Sequence, residues 1–173
     1  VPGREPRDLS CEEFLAREDN RSSQDPGMNV LFLPREGVEL YQELLSSETS
    51  RDALRFYRPA ERHGGVMVTM ASLGSALSLA SDLRWYVRRY MRDVLFEISD
   101  GVYCTHDLAR EIYYDRTVSP GKGWKFRRVY VIQADRLVSV EKVSPDKKGD
   151  LFGARPGEIR LEVWCTEEEE TAE

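Results

Sequence analysis

The stretch from Gly65 to Val102 limits the possible folds more than any other part of this chain. It reads as a strand (Val66-Met-Val-Thr-Met), an amphipathic helix from Leu73 to Asp93, and a second strand (Val94-Leu-Phe-Glu-Ile). Leu73, Ala76, Leu77, Ala80, Leu83, Val87, Tyr90, Met91 and Val94 recur at three- and four-residue spacing, so they fall along one helix face that must be buried. The flanking runs are rich in Val and Ile and are bounded by Gly64-Gly65 and Asp100-Gly101, which suits strands on which the helix can lie.

Further strands and helices follow from the same reasoning. Residues 1–29 hold several prolines and many charges and are expected to form an arm and loop, with a short helix after a Ser10/Glu13 capping box. Val30 to Leu33 reads as a strand ended by Pro34, and Gly37 to Leu45 as a helix. Ser46 to Ser50 reads as a polar turn, and Asp52 to Arg58 as a strand or helix end closed by Pro59. Thr105 caps a helix that runs to Arg116. Phe126 to Ile132 and Leu137 to Val143 are strands joined through Gln133-Ala-Asp-Arg, and Glu158 to Trp164 alternates as a half-exposed strand. Residues 166–173, with Glu167 to Glu170, are expected to be a solvated, disordered acidic tail. Residues 30–165 then form one α+β domain, with a mostly antiparallel sheet or pair of sheets packed by two or three helices.

Composition and missing motifs narrow the functional classes. A net charge of −6 opposes coating of nucleic acid by bulk attraction. No apolar run reaches the roughly 20 residues that span a bilayer, and the first residues lack an apolar secretion segment, so a soluble intracellular protein is expected. Cys11, Cys104 and Cys165 are widely spaced and form no CxxC pair, and the histidines show no ligand spacing, so no metal is expected. His63 and His106 read as a loop and a capping histidine. The nucleophile elbow, the P-loop and the dinucleotide fingerprint are all missing.

One charged feature stands out. Arg84, Arg88 and Arg92 fall at four-residue intervals with Trp85 beside them, placing guanidinium groups along one flank of the expected helix. Such a flank suits solvent, an acidic protein partner within a larger assembly, or RNA phosphates and bases.

The order of elements also resembles the ADP-ribosyltransferase superfamily. Leu54-Arg55-Phe56-Tyr57-Arg58 is similar to its first strand with a basic residue. Val66-Met-Val-Thr69-Met-Ala-Ser72 ahead of the helix is similar to its hydroxyl-bearing segment, and Phe126 to Val143 resembles its catalytic strand, turn and final strand. The resemblance implies binding of NAD or a related nucleotide, with Arg55 on phosphate, Thr69 or Ser72 on ribose, and Tyr103 or Tyr113 stacking on nicotinamide. It implies either an NAD-dependent transferase or a relative that has lost catalysis. Where that family carries its glutamate, this chain has Arg127 and Arg128, which leaves Glu97, Glu111 and Glu141 as candidate carboxylates. A non-enzymatic interaction module and an RNA-contacting domain are the alternatives.

Overall fold

The apolar run at Val30 to Leu33 is buried on both of its faces, which sets it at the centre of the fold. None of these four residues is more than 1% exposed. The structure, a computed structural model, describes residues 27–116, 118–121, 124–143 and 156–171. Most of the expected arm over 1–29 therefore lies outside the described residues.

The run belongs to β1 (Met28–Pro34), and it is followed by α1 (Leu40–Ser46), α2 (Glu48–Leu54), β2 (Ala60–Arg62) and β3 (Gly65–Met70). Next come α3 (Leu73–Asp82), α4 (Arg84–Tyr90), β4 (Met91–Ser99), β5 (Val102–Thr105) and α5 (His106–Arg110), which continues into a π-helical turn at Glu111–Asp115. β6 (Arg127–Gln133), β7 (Arg136–Lys142), β8 (Glu158–Trp164) and α6 (Glu167–Thr171) are the last of the described elements. The protein is α+β, with one eight-stranded sheet in the order β2-β3-β1-β4-β5-β8-β6-β7. Every pairing is antiparallel except β5 with β8. Among the described residues six helices, rather than two or three, accompany it.

The strand-helix-strand unit is present with β1 inserted between its two strands. β3 and β4 each pair antiparallel with β1, so they run parallel to one another without touching. The single helix expected from Leu73 to Asp93 is in fact two helices and the start of a strand. Ser72 caps α3 through a reciprocal box with Ser75, and the backbone turns at Leu83 before α4 begins. β4 then starts at Met91, because Met91 pairs with Pro34 and Arg35 N donates to the Tyr90 carbonyl at 2.8 Å. Ladder bonds to β1 and burial of Met91 and Val94 outweigh the small propensity gain of another helical turn. Likewise the expected polar turn at Ser46 to Ser50 begins α2, and Arg55 follows that helix instead of lying on a strand. Buried Ser50 stabilises this corner by donating to the Leu44 carbonyl at 2.5 Å.

Alternation along the strands divides the apolar residues between two faces. One face carries Val30, Phe32, Val66, Val68, Val94 and Phe96 and lies under the helices, against Leu44, Leu54, Leu73, Leu77 and Leu108 among others. The other face carries Leu31, Leu33, Leu95, Tyr103, Tyr130, Ile132, Leu161 and Val163, all at most 7% exposed, and they bury one another. They can do so because the sheet rolls up. The Tyr130 hydroxyl on β6 donates to Asp93 Oδ2 on β4 at 2.6 Å, although β5 and β8 separate those strands in sheet order. Three strand spacings of about 4.8 Å would hold them far apart on a flat sheet. The β2–β3 turn also meets the β6–β7 turn, since a Cβ on Gly64 would lie 2.4 Å from the Asp135 carbonyl oxygen. Ladder irregularities at Leu33/Pro34, Glu97/Ser99 and Val131/Ile132 supply local twist for this curvature.

The acidic tail is also corrected. Residues 167–171 form α6, which docks over one end of the rolled sheet. Glu169 Oε1 accepts from the Thr105 hydroxyl at 2.5 Å and from Thr166 N at 3.1 Å, and Thr166 Oγ1 accepts from Glu169 N at 3.0 Å. Arg128 Nη2 donates to the Glu169 carbonyl at 2.6 Å, and Lys142 Nζ donates to the Glu170 carbonyl at 2.9 Å. A run of carboxylates that reads as solvated is held by fixed donors from β5, β6 and β7.

Candidate functional site

Polar side chains gather on the inward face of the sheet where β3, β1, β4 and β5 lie side by side. Thr69 Oγ1 donates to Asn29 Oδ1 at 2.9 Å, and Asn29 Nδ2 donates to Glu97 Oε1 at 3.0 Å. The Tyr103 phenol lies near enough for the Glu97 carboxylate to act on it electrostatically. Strand register explains the alignment, because Asn29 pairs with Thr69 and Glu97 pairs with Tyr103. The bulge between Glu97 and Ser99 directly follows that second pair, at the kind of position where bulges re-aim side chains.

Electrostatics distinguish the members of this chain. Burial pushes the Tyr103 phenol well above its ordinary value, and the adjacent Glu97 charge pushes it further, so the phenol remains a donor. His63 belongs to the β2–β3 turn, where it takes a left-handed conformation (φ 52°) ahead of Gly64 (φ 77°), the pattern of a tight hairpin. Burial, then the neighbouring Arg62 guanidinium, lowers the His63 pKa, while Glu97 acts in the opposite sense. Near neutral pH His63 is a neutral imidazole with one donor and one acceptor nitrogen. Thr69 and Arg62 are exposed, Asn29, His63 and Glu97 are half-buried, and Tyr103 is buried. The site thus offers a carboxylate, an amide, a hydroxyl, an imidazole and a guanidinium, a set suited to a hydroxyl-rich anionic ligand.

Of the residues singled out in the sequence, the fold brings together Thr69, Glu97 and Tyr103. It does not bring in the others. Arg55 is exposed past the end of α2, with its guanidinium 4.7 Å from the Phe56 ring centre. Ser72 is occupied as the cap of α3. Tyr113 packs beneath α3, where a Cβ on Gly74 would fall 2.5 Å from its hydroxyl, on the helix side of the sheet. Tyr103 lies in the interior at 3% exposure, which leaves its ring no open face for stacking.

Arg127 and Arg128 are structural. Arg127 pairs with Glu162 at 3.2 Å and covers the Trp164 ring at 5.3 Å, while Arg128 holds α6. Glu141 is exposed and pairs with Arg160 at 3.4 Å. Glu111 lies in a cleft of about 250 Å³ with Trp124, Phe126, Glu167 and Glu168. Its carboxyl is raised by burial and then by surrounding carboxylates, Glu168 foremost. Arg84 and Arg88 sit on α4, whereas Arg92 falls on β4, so the expected stripe is divided between two elements.

Sequence reasoning passed over Asn29, Arg62 and His63. Asn29 was the last residue of the expected N-terminal arm, and His63 read as an isolated loop histidine; strand register brings Asn29 to Glu97, and His63 comes near enough to feel the Glu97 charge. Among the described residues no group of three or more His, Cys, Asp or Glu side chains is placed to hold a metal ion. Among them no helix is long and apolar enough to cross a membrane. Cys104 and Cys165 are both buried and unpaired, and burial pushes the Cys165 thiol up to about 12.

Fold and site together describe an α+β protein with a rolled mixed sheet and a polar network at its inner rim. The chain belongs to DUF5804, a family of unknown function whose model matches residues 28–132. That span contains Asn29, Arg62, His63, Thr69, Glu97 and Tyr103 and ends before β7, β8 and α6. No curated protein and no solved structure matches the chain.

Proposed function

We propose that this protein binds NAD or a related nucleotide at the Glu97 network, as an ADP-ribosyltransferase-like domain. The observation that carries the reading is the continuous hydrogen-bonded run Thr69–Asn29–Glu97, which ends on a carboxylate with the Tyr103 phenol close by. An ionised carboxylate has about four acceptor positions, so Glu97 retains capacity for a ribose hydroxyl after Asn29 is served. Thr69 supplies an exposed hydroxyl beside it. Arg62 takes the phosphate role expected of Arg55, and neutral His63 offers a further donor or acceptor.

The same carboxylate suits the family's chemistry. Cleavage of a glycosidic bond to nicotinamide leaves positive charge on the ribose, and a fixed carboxylate stabilises that charge as it develops. Glu97 thereby takes the place left by Arg127 and Arg128. In this reading Asn29 is a positioning residue, because its amide donates to the carboxylate and fixes it.

Calorimetric titration of the full chain with NAD tests the proposal, alongside Glu97→Gln and Thr69→Val. A hydrogen bond to a charged group contributes roughly 1.5–3 kcal/mol, so Glu97→Gln should weaken binding by about one to two orders of magnitude. Thr69→Val should cost several-fold. Absence of binding heat at millimolar NAD, or equal affinity in Glu97→Gln, overturns the reading.

A further inference from the structure

The outward half of α4 is made of arginine and tryptophan, in a protein of net charge −6. Arg84, Trp85, Arg88 and Arg89 are all exposed, Trp85 at 56%, whereas Tyr86 on the inner side is buried. From Arg84 through Arg92 the chain carries four arginines and no carboxylate. Among the described residues no carboxylate lies within ion-pair distance of Arg84, Arg88 or Arg89. Acidic residues are concentrated elsewhere, around Glu111, whose carboxyl is raised by burial and then by Glu168, Asp115 and Asp107.

The patch is also held in place. The Tyr86 hydroxyl bonds to Ser47 Oγ at the start of α2, which fastens the inner side of α4 to the domain. Arg35 Nη2 donates to the Arg88 carbonyl at 3.0 Å, which sets a further guanidinium at the end of the helix. The Arg89 guanidinium lies 5.3 Å from the Trp85 ring centre, and Tyr86 and Tyr90 meet that ring at 80° and 75°. Arg84 and Arg88 are one helical turn apart, about 6 Å along the axis. The surface therefore presents a tryptophan flanked by guanidinium groups with restricted freedom.

We infer that this face of α4 binds single-stranded nucleic acid, with Arg84, Arg88, Arg89 and Arg35 on phosphates and Trp85 stacking on a base. Charge complementarity selects a polyanion, and the exposed ring selects one with flat aromatic units, since base stacking on aromatic side chains is sequence-tolerant and favourable. Guanidinium groups that lack carboxylate partners keep their donors for phosphate oxygens. The local charge counts here more than the net charge, because at physiological salt the Debye length is about 8 Å.

Fluorescence anisotropy with labelled oligouridine about 15 nucleotides long tests this on the full chain. Salt is varied, and vesicles containing phosphatidylserine and polyglutamate serve as separate arms. The variants are the triple substitution Arg84→Gln/Arg88→Gln/Arg89→Gln and Trp85→Leu, each checked by circular dichroism for an unchanged fold. Binding of the oligonucleotide should weaken with salt, and the triple substitution should reduce the log–log salt slope by about 2, at roughly 0.7 per phosphate contact. Trp85→Leu should weaken binding by roughly fivefold to a hundredfold, the range expected for one stacked base. No binding at low salt overturns the inference. So does oligonucleotide binding that neither variant alters, or binding to vesicles or polyglutamate as tight as to the oligonucleotide and indifferent to Trp85.

Discussion

Replacing Glu169 with alanine separates a docked C-terminal helix from a solvated acidic tail. In the folded protein Glu169 Oε1 accepts from Thr105 at 2.5 Å and Thr166 N at 3.1 Å, and the two donor residues are 2% and 4% exposed. Removing the acceptor leaves a buried hydroxyl without its charged partner, at about 1–3 kcal/mol. It also dismantles the reciprocal cap of α6, worth about 0.5–2 kcal/mol. A small gain offsets part of this, because Glu169 stands close enough to Asp93 to raise its already desolvated carboxyl. The net expectation is a loss of about 2–4 kcal/mol, or roughly 5–15 °C in Tm for a chain of this size. Glu168→Ala, at an exposed neighbour, should change stability by less than about 0.5 kcal/mol. Thermal and urea unfolding followed by circular dichroism measure both variants. If Glu169→Ala proves as stable as Glu168→Ala, α6 does not close the end of the sheet as described.

Two further outcomes follow from the same contacts. Gly64→Ala should destabilise by more than the roughly 1–2 kcal/mol expected for an alanine in left-handed backbone, since its Cβ would also meet the Asp135 carbonyl; a smaller loss by urea unfolding would mean that the two hairpin turns do not touch. Lowering the pH should destabilise through His63 and His106, whose pKa values lie below the ordinary histidine value, chiefly because of burial. For groups depressed on folding, the contribution is complete above about pH 6.5 and lost as pH falls through that value toward the folded pKa. Asp93 and Glu111, both raised by burial first, act oppositely in the window just above the ordinary carboxylate value. Differential scanning fluorimetry from pH 8 to 5 should therefore show a fall in Tm that is shallower in His63→Gln/His106→Gln, and an equal slope in the variant would remove the histidines as its cause.

Local chemistry made much of the scaffold readable. The strands at Glu158 to Trp164 and across Gln133-Ala-Asp-Arg have alternation or turn residues that suffice without further context, and Thr105 does cap its helix, accepting from Leu108 N at 3.3 Å. The reading of Leu73 to Asp93 went wrong where three-residue periodicity continued into a strand: Met91 and Val94 fit both patterns, and only pairing with β1 decides between them. The site was legible in fragments. Thr69, Glu97 and Tyr103 were chosen as separate candidates, but nothing local links them to one another or to Asn29, Arg62 and His63. Arg55, Ser72 and Tyr113 were equally reasonable by residue type, and they lie apart from that network.

Taken alone, the sequence determined the α+β class, most of the strands and caps, and an arginine-rich segment around Trp85, because periodicity, turn residues and capping act over a few neighbouring positions. Tertiary structure decided which strands lie side by side, that the sheet rolls until Tyr130 reaches Asp93, and that a glutamate-rich terminus folds as a helix. Those outcomes depend on the balance between burial and hydrogen bonding among groups dozens of residues apart, and no short window of sequence contains both sides of that balance.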